Sequence, residues 1–256
     1  MEKPPAFENF EKGKNVSIDI ELIRHPEKSH ETGDLTDSGR EDFLNKLKED
    51  HRDDYDLVKF YISPLKRGQQ SGQSAQEYLN DFGINSKIRT RKQLVPEFEG
   101  FSQESMEEVA KLISKEEEID KKRPAYEPPS KDFETKANEL LIQKYFDENF
   151  PLADFSGEDI GSELNNFIEH FSKMTEKLKS GSKAKLVLVS HSGIIEHFIK
   201  YIYLKNNPDK DPKSVSAEEI GGLVDFMDGP KIEIKTDEGG HRSVKIYYKD
   251  MDLEIK

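Results

Sequence analysis

Ile18-Asp19-Ile20-Glu21-Leu22-Ile23-Arg24-His25-Pro26-Glu27 and Leu186-Val187-Leu188-Val189-Ser190-His191-Ser192-Gly193 lie far apart in the chain, yet each runs a strand-like stretch into a histidine. In an open α/β sheet, ligands gather at the carboxyl ends of the strands, so two imidazoles at two such ends are expected to share one site. An arginine directly before the first histidine points that site toward phosphate, because a guanidinium fork matches phosphoryl oxygens.

Working outward, residues 16–23 read as the first strand, followed by a polar loop at 30–34 and then a helix. Thr36 suits the N-cap of that helix, and Phe43, Leu44 and Leu47 fall on one face. Residues 57–62 read as a second strand. Ser63-Pro64 then supplies an N-cap followed by proline at the first helical position, opening a helix to about Leu79 with Arg67 in its first turn. Residues 84–89 read as a third, edge-like strand, running on to Gln93-Leu94-Val95-Pro96-Glu97-Phe98-Glu99-Gly100.

Between 103 and 160 the pattern changes to Glu/Lys-rich helical stretches broken by Arg123-Pro124 and Glu127-Pro128-Pro129. That segment holds 16 Asp+Glu and 8 Lys+Arg, a formal charge of 8 − 16 = −8. A structureless loop of that length is uncommon inside a compact domain, so a helical cap inserted over the site is expected. Leu164, Phe167, Ile168, Phe171, Met174 and Leu178 then recur at helical spacing, with Gly181 as a stop signal. An apolar helix follows His191 to about Leu204. The C-terminus alternates as a hairpin, with Ile232 and Ile234, a turn at 237–240, and Val244, Ile246 and Tyr248 closing a sheet edge. The pattern predicts one domain over 1–256. Its class is α/β, a three-layer α/β/α sandwich with a mostly parallel central sheet and a helical cap insertion at 103–160.

Composition narrows the chemistry. The chain has no cysteine, which excludes disulfides, thiolate catalysis and cysteine-ligated metal sites. The formal charge of −13 repels a nucleic-acid backbone, and no segment reads as a separate basic patch. No apolar run approaches membrane-spanning length, and residues 1–15 are polar and charged where a secretory signal carries an apolar stretch. The expected setting is therefore cytoplasmic, with no nucleic-acid or membrane partner; the oligomeric state is left open. His30, His51, His170, His197 and His241 show no zinc-type spacing, and surface positions explain most of them.

Arg24-His25 offers an anchor and a nucleophile together, since a neutral imidazole in the right tautomer attacks phosphorus. Arg67 adds a second fork at a helix terminus, and His191 a further donor at another strand-to-helix turn. Arg24-His25, Leu35-Thr36-Asp37-Ser38-Gly39-Arg40, Ser63-Pro64-Leu65-Lys66-Arg67 and Val189-Ser190-His191-Ser192-Gly193 resemble, in order, the successive motifs of the histidine phosphatase superfamily, the phosphoglycerate mutase-like fold. The likeness spans most of the chain, the insert and the C-terminal hairpin excepted.

The resemblance implies a phosphohistidine on His25, with Arg24, Arg67 and His191 holding the phosphate, a small phosphorylated substrate, and neither metal nor organic cofactor. It also implies a carboxylic acid at the leaving oxygen, for which Glu97 is favoured and Glu99 is the alternative. Pro26 stands where most members have glycine, which turns the reading from the mutase branch toward a metal-independent phosphomonoester phosphatase. A mutase-like phosphotransferase and a non-catalytic binder of phosphorylated ligands are the alternatives.

Overall fold

The computed structural model describes residues 11–29, 32, 34–49, 55–84, 86–95, 146 and 157–255. Its elements are β1 (Ser17–Arg24), α1 (Asp37–Glu49), β2 (Leu57–Ile62), α2 (Lys66–Asp81), β3 (Ile88–Thr90), α3 (Gly157–Ser172), β4 (Lys183–Ser190), α4 (Ile194–Asn206), β5 (Lys231–Thr236), β6 (Arg242–Tyr248) and β7 (Met251–Glu254). The seven strands form one sheet in the order β3-β2-β4-β1-β5-β6-β7. β3, β2, β4 and β1 pair in parallel, while β1 with β5, β5 with β6 and β6 with β7 pair antiparallel. The three-layer α/β architecture is as expected, and its parallel half carries both histidine motifs. The C-terminal alternation extends into a three-stranded meander, because β7 adds a further strand beyond the hairpin.

Side-chain alternation sorts the sheet into two faces. Val187, Val189, Phe60, Ile62 and Ile23 face Phe43 and Leu47 of α1 and Ala75, Tyr78 and Leu79 of α2. Leu186, Leu188, Ile20, Leu22 and Tyr61 face the other way, against Leu164, Ile168 and Phe171 of α3 and Ile195, Phe198 and Ile199 of α4. Both faces are thus covered, which is why β4 is apolar along almost its whole length and buried at every residue after Lys183. A fully buried side chain such as Phe43 contributes about 1.5–3 kcal/mol. Among the described residues no helix is long and apolar enough to cross a membrane.

Local signals acted largely as read. The Gly39 N–H donates to Thr36 Oγ1 at 3.0 Å, so Thr36 is the N-cap of α1. Three boundaries differ. α2 opens at Lys66, with Leu65 as its cap, rather than at Ser63-Pro64. Ser63 is still held in the sheet, its N–H donating to Val189 O, and its hydroxyl is engaged elsewhere. Arg67 nonetheless falls in the first turn. β3 covers 88–90 and not 84–89, because the Ile84 N–H closes back on Leu79 O to finish α2. The helix expected through Leu178 ends at Ser172 and continues as a 3-10 turn, Lys173–Lys177. Of the segment 103–160, only Phe146 and the opening of α3 lie within the described residues; Phe146 is buried, its ring stacked 5.5 Å from His197 of α4.

Candidate active site

β1 and β4 are parallel neighbours in a register that sets Arg24 beside Ser190. One residue further on, the strands deliver His25 and His191 side by side. The His25 N–H donates to Ser190 O at 2.9 Å, and the two imidazole centroids lie 5.0 Å apart. Both side chains are buried, at 3% and 2% exposure.

The ring of His25 has a defined tautomer. Its Nδ1 lies 2.7 Å from Pro26 O. A carbonyl oxygen only accepts, so Nδ1 carries the hydrogen and Nε2 presents a lone pair. Burial pushes the pKa of His25 down from 6.5 to about 3; the bond to Pro26 opposes this, and Arg67, Arg24 and Lys28 add to it. The imidazole is therefore neutral at ordinary pH. Pro26 is thus the residue whose carbonyl orients His25, on a backbone whose φ the pyrrolidine ring restrains.

His191 is fixed from both sides. Arg67 Nε donates to His191 Nδ1 at 3.0 Å, which makes Nδ1 an acceptor and leaves the hydrogen on Nε2, 2.8 Å from Ser63 Oγ. Burial holds its pKa well below 6.5, with Arg67, His25, Arg24 and Lys28 contributing in that order. Arg67 is itself pushed down by burial and by the charge of Arg24, which places the two guanidiniums in one electrostatic neighbourhood.

Arg24 is anchored by the segment that precedes β5. Its Nη1 donates to Val224 O at 2.8 Å and its guanidinium lies 4.0 Å from the ring centroid of Phe226. The same ring lies 5.7 Å from the imidazole of His25. Met227 N donates to Arg24 O and Arg24 N to Asp228 O, stitching this segment to the end of β1. Behind it, the fully buried Glu196 accepts from Ser192 Oγ at 2.6 Å, Gly193 N at 2.5 Å and Val224 N at 2.9 Å. One carboxylate therefore ties the turn after His191 to the backbone that holds Arg24. The turn needs its glycine, since Gly193 has φ 90°.

Arg24, His25, Arg67 and His191 are brought together. Glu97 and Glu99 lie outside the described residues. Glu27 is directed away to α1, where its Oε2 accepts from Thr36 and Ser38. The sequence reading missed the roles of Ser63, Glu196 and Phe226. By sequence Ser63 reads as a helix cap, and a glutamate three residues past a glycine turn is an N-terminal capping signal. The surface reading also fails for His197, which is 2% exposed, with a pKa lowered to about 3 by burial and by Lys200. His170 and His241 are exposed; His30 and His51 lie outside the described residues.

No family model matches the chain, and no curated protein compared with it matches. Solved structures do match in shape. The mycobacterial hydrolase 1 aligns at a TM-score of 0.52 and 12% identity, covering 92% of this chain and 99% of the hydrolase. The mycobacterial hydrolase 2 aligns at 0.50 and 11%, covering 94% and 92%. A mycobacterial glucosyl-3-phosphoglycerate phosphatase aligns more loosely, at 0.48 and 12%, covering 88% and 92%. At these identities the likeness is one of fold alone, shared with the two mycobacterial hydrolases.

Proposed function

We propose that the protein is a metal-independent phosphatase that hydrolyses a small phosphomonoester through a phosphohistidine on His25. The observation that carries this reading is the His25 ring itself. It is buried and neutral, with its Nδ1 hydrogen spent on Pro26 O and its Nε2 lone pair left for phosphorus. In the first step His25 Nε2 bonds to phosphorus as the ester P–O bond breaks, and the leaving oxygen takes a proton from a carboxylic acid, assigned to Glu97 with Glu99 as the alternative. In the second, water attacks phosphorus, the carboxylate takes its proton, and orthophosphate leaves with His25 restored.

Arg24 and Arg67 supply the donor forks for the phosphoryl oxygens. His191 sits next to the nucleophile, kept neutral chiefly by burial and then by the neighbouring cations, whose charge an entering phosphoryl dianion offsets. Its Nε2–H, now on Ser63 Oγ, is the donor it would turn to the same group as charge develops. We read residues 1–256 as one domain, 103–160 as the cap that selects the leaving group, and the setting as cytoplasmic. The test is hydrolysis of p-nitrophenyl phosphate, with and without EDTA, by wild type and His25→Ala. Turnover that survives EDTA and vanishes in the variant supports the reading. Turnover retained by His25→Ala overturns it.

A further inference from the structure

A groove of about 460 Å³ lies at the β2–β3 edge of the sheet, on the face covered by α3. Its construction follows from strand periodicity. Lys59 and Tyr61 alternate on β2, Arg89 is the register partner of Tyr61 on β3, and Arg91 follows two residues later, so all four point to the same side. Lys92 joins them from the next turn. Opposite stand Phe167 and Phe171 of α3, 5.9 and 4.9 Å from the Tyr61 ring, and Arg91 lies over that ring at 5.4 Å.

Among the described residues the lining therefore holds four basic side chains and no Asp or Glu, in a chain with 52 acidic and 39 basic residues. Such a like-charged set is costly without an anion. Lys59 registers that cost, its pKa lowered by burial and then by Arg89. The sequence showed no basic patch because these residues come from separate stretches that only the β2–β3 pairing assembles. The volume is in the range of small-ligand sites, and the partly exposed ring of Phe167, backed by the buried rings of Tyr61 and Phe171, beside a cationic rim suits a flat body bearing charged groups.

We propose that this groove is a second anion-binding site, separate from the His25 pocket, taking a small organic polyanion with a flat apolar body. Its position gives it a relation to the candidate active site. Thr90 pairs with Ile62, Ile62 with Val189, and Val189 with Ile23, so the groove mouth is level with the ends of β4 and β1, which lead into His191 and His25 two and three strand spacings away, roughly 10 and 14 Å at about 4.8 Å per strand. The bound anion belongs either to a distal part of the substrate or to a separate ligand.

The full chain, saturated with orthovanadate, is titrated with 8-hydroxypyrene-1,3,6-trisulfonate and followed by fluorescence anisotropy. Binding is expected to persist under vanadate. It is expected to weaken about tenfold in Arg89→Gln/Lys92→Gln, two exposed positions whose loss removes two charge contacts, and to be unchanged in Lys173→Gln/Lys177→Gln, an equal charge change outside the groove. No binding, displacement by vanadate, or an equal loss in the control pair overturns the proposal. None of these readouts depends on turnover, so they stand apart from the phosphatase reading. A companion comparison rests on that reading, the kcat/KM ratio of octane-1,8-diol bisphosphate to octyl phosphate. A ratio that falls in Arg89→Gln/Lys92→Gln assigns the second anion to the substrate, and an unchanged ratio with lost probe binding assigns it to a separate ligand.

Discussion

Acidification should destabilise this protein from above the range in which carboxylates titrate. His25 has a pKa of about 3 in the folded chain against 6.5 for an unperturbed histidine. Between those values the unfolded state binds the extra proton, so unfolding free energy rises with pH. The stability is fully present above about pH 6.5 and is lost as pH falls toward 3. One unit below the unfolded value, at pH 5.5, such a group costs about 1.4 kcal/mol. His197 is lowered to about 3 as well, and His191 lies well below 6.5, both chiefly through burial. His25 and His197 cost about 3 kcal/mol together at pH 5.5, a large part of the roughly 5–15 kcal/mol that holds a typical domain folded, and His191 adds in the same direction. Urea unfolding at pH 7.5 and 5.5 measures the drop. His25→Gln isolates one share of it, because glutamine does not titrate while the relief of the net negative charge is common to both proteins. The stability lost between the two pH values should be about 1.4 kcal/mol smaller in the variant than in wild type. An identical loss in the two proteins would refute the account of a neutral, desolvated His25.

The remaining predictions concern the groups around the histidines. Ser63→Ala leaves the buried Nε2–H of His191 without its acceptor, so thermal or urea denaturation should show a loss of about 1–3 kcal/mol, and p-nitrophenyl phosphate turnover should fall with it. Glu196→Gln sets an amide NH₂ among donors from Ser192, Gly193 and Val224, and should cost on the order of 3 kcal/mol by the same measurement. Thr36→Ala removes the N-cap of α1 and should cost about 1 kcal/mol without altering turnover at saturating substrate. Gly39→Ala should be worse than its helix propensity suggests, since a Cβ there meets Glu27 O at 2.6 Å; a melting temperature equal to wild type would contradict that packing.

The parts legible in the sequence were those fixed by local chemistry and strict period. Runs such as Leu186 to Val189 read as strand from composition alone, and β2 fell on the residues expected, 57–62. Arg24, His25, Arg67 and His191 were legible because each stands at a fixed offset from a strand end or a helix start. What escaped depended on contacts between distant stretches. Ser63 resembles a cap until β4 brings His191 within reach of its hydroxyl. Glu196 acquires its meaning from Val224, which folds back from the segment before β5. The cationic groove needs β2 and β3 in register before Lys59 and Arg89 are neighbours. His197 looks like a polar residue on a helix surface, yet Phe146 stacks on it from far away in the chain.

The central claim is that Nε2 of His25 takes the phosphoryl group. Rapid acid-free quenching of turnover on a phosphomonoester, followed by ³¹P NMR and mapping of the labelled peptide under alkaline conditions, tests it most directly. The account predicts a phosphoramidate on His25 bonded through Nε2, absent from His25→Ala. A label on His191, a label on His25 through Nδ1, or sustained turnover with no covalent phosphate on the chain would contradict it.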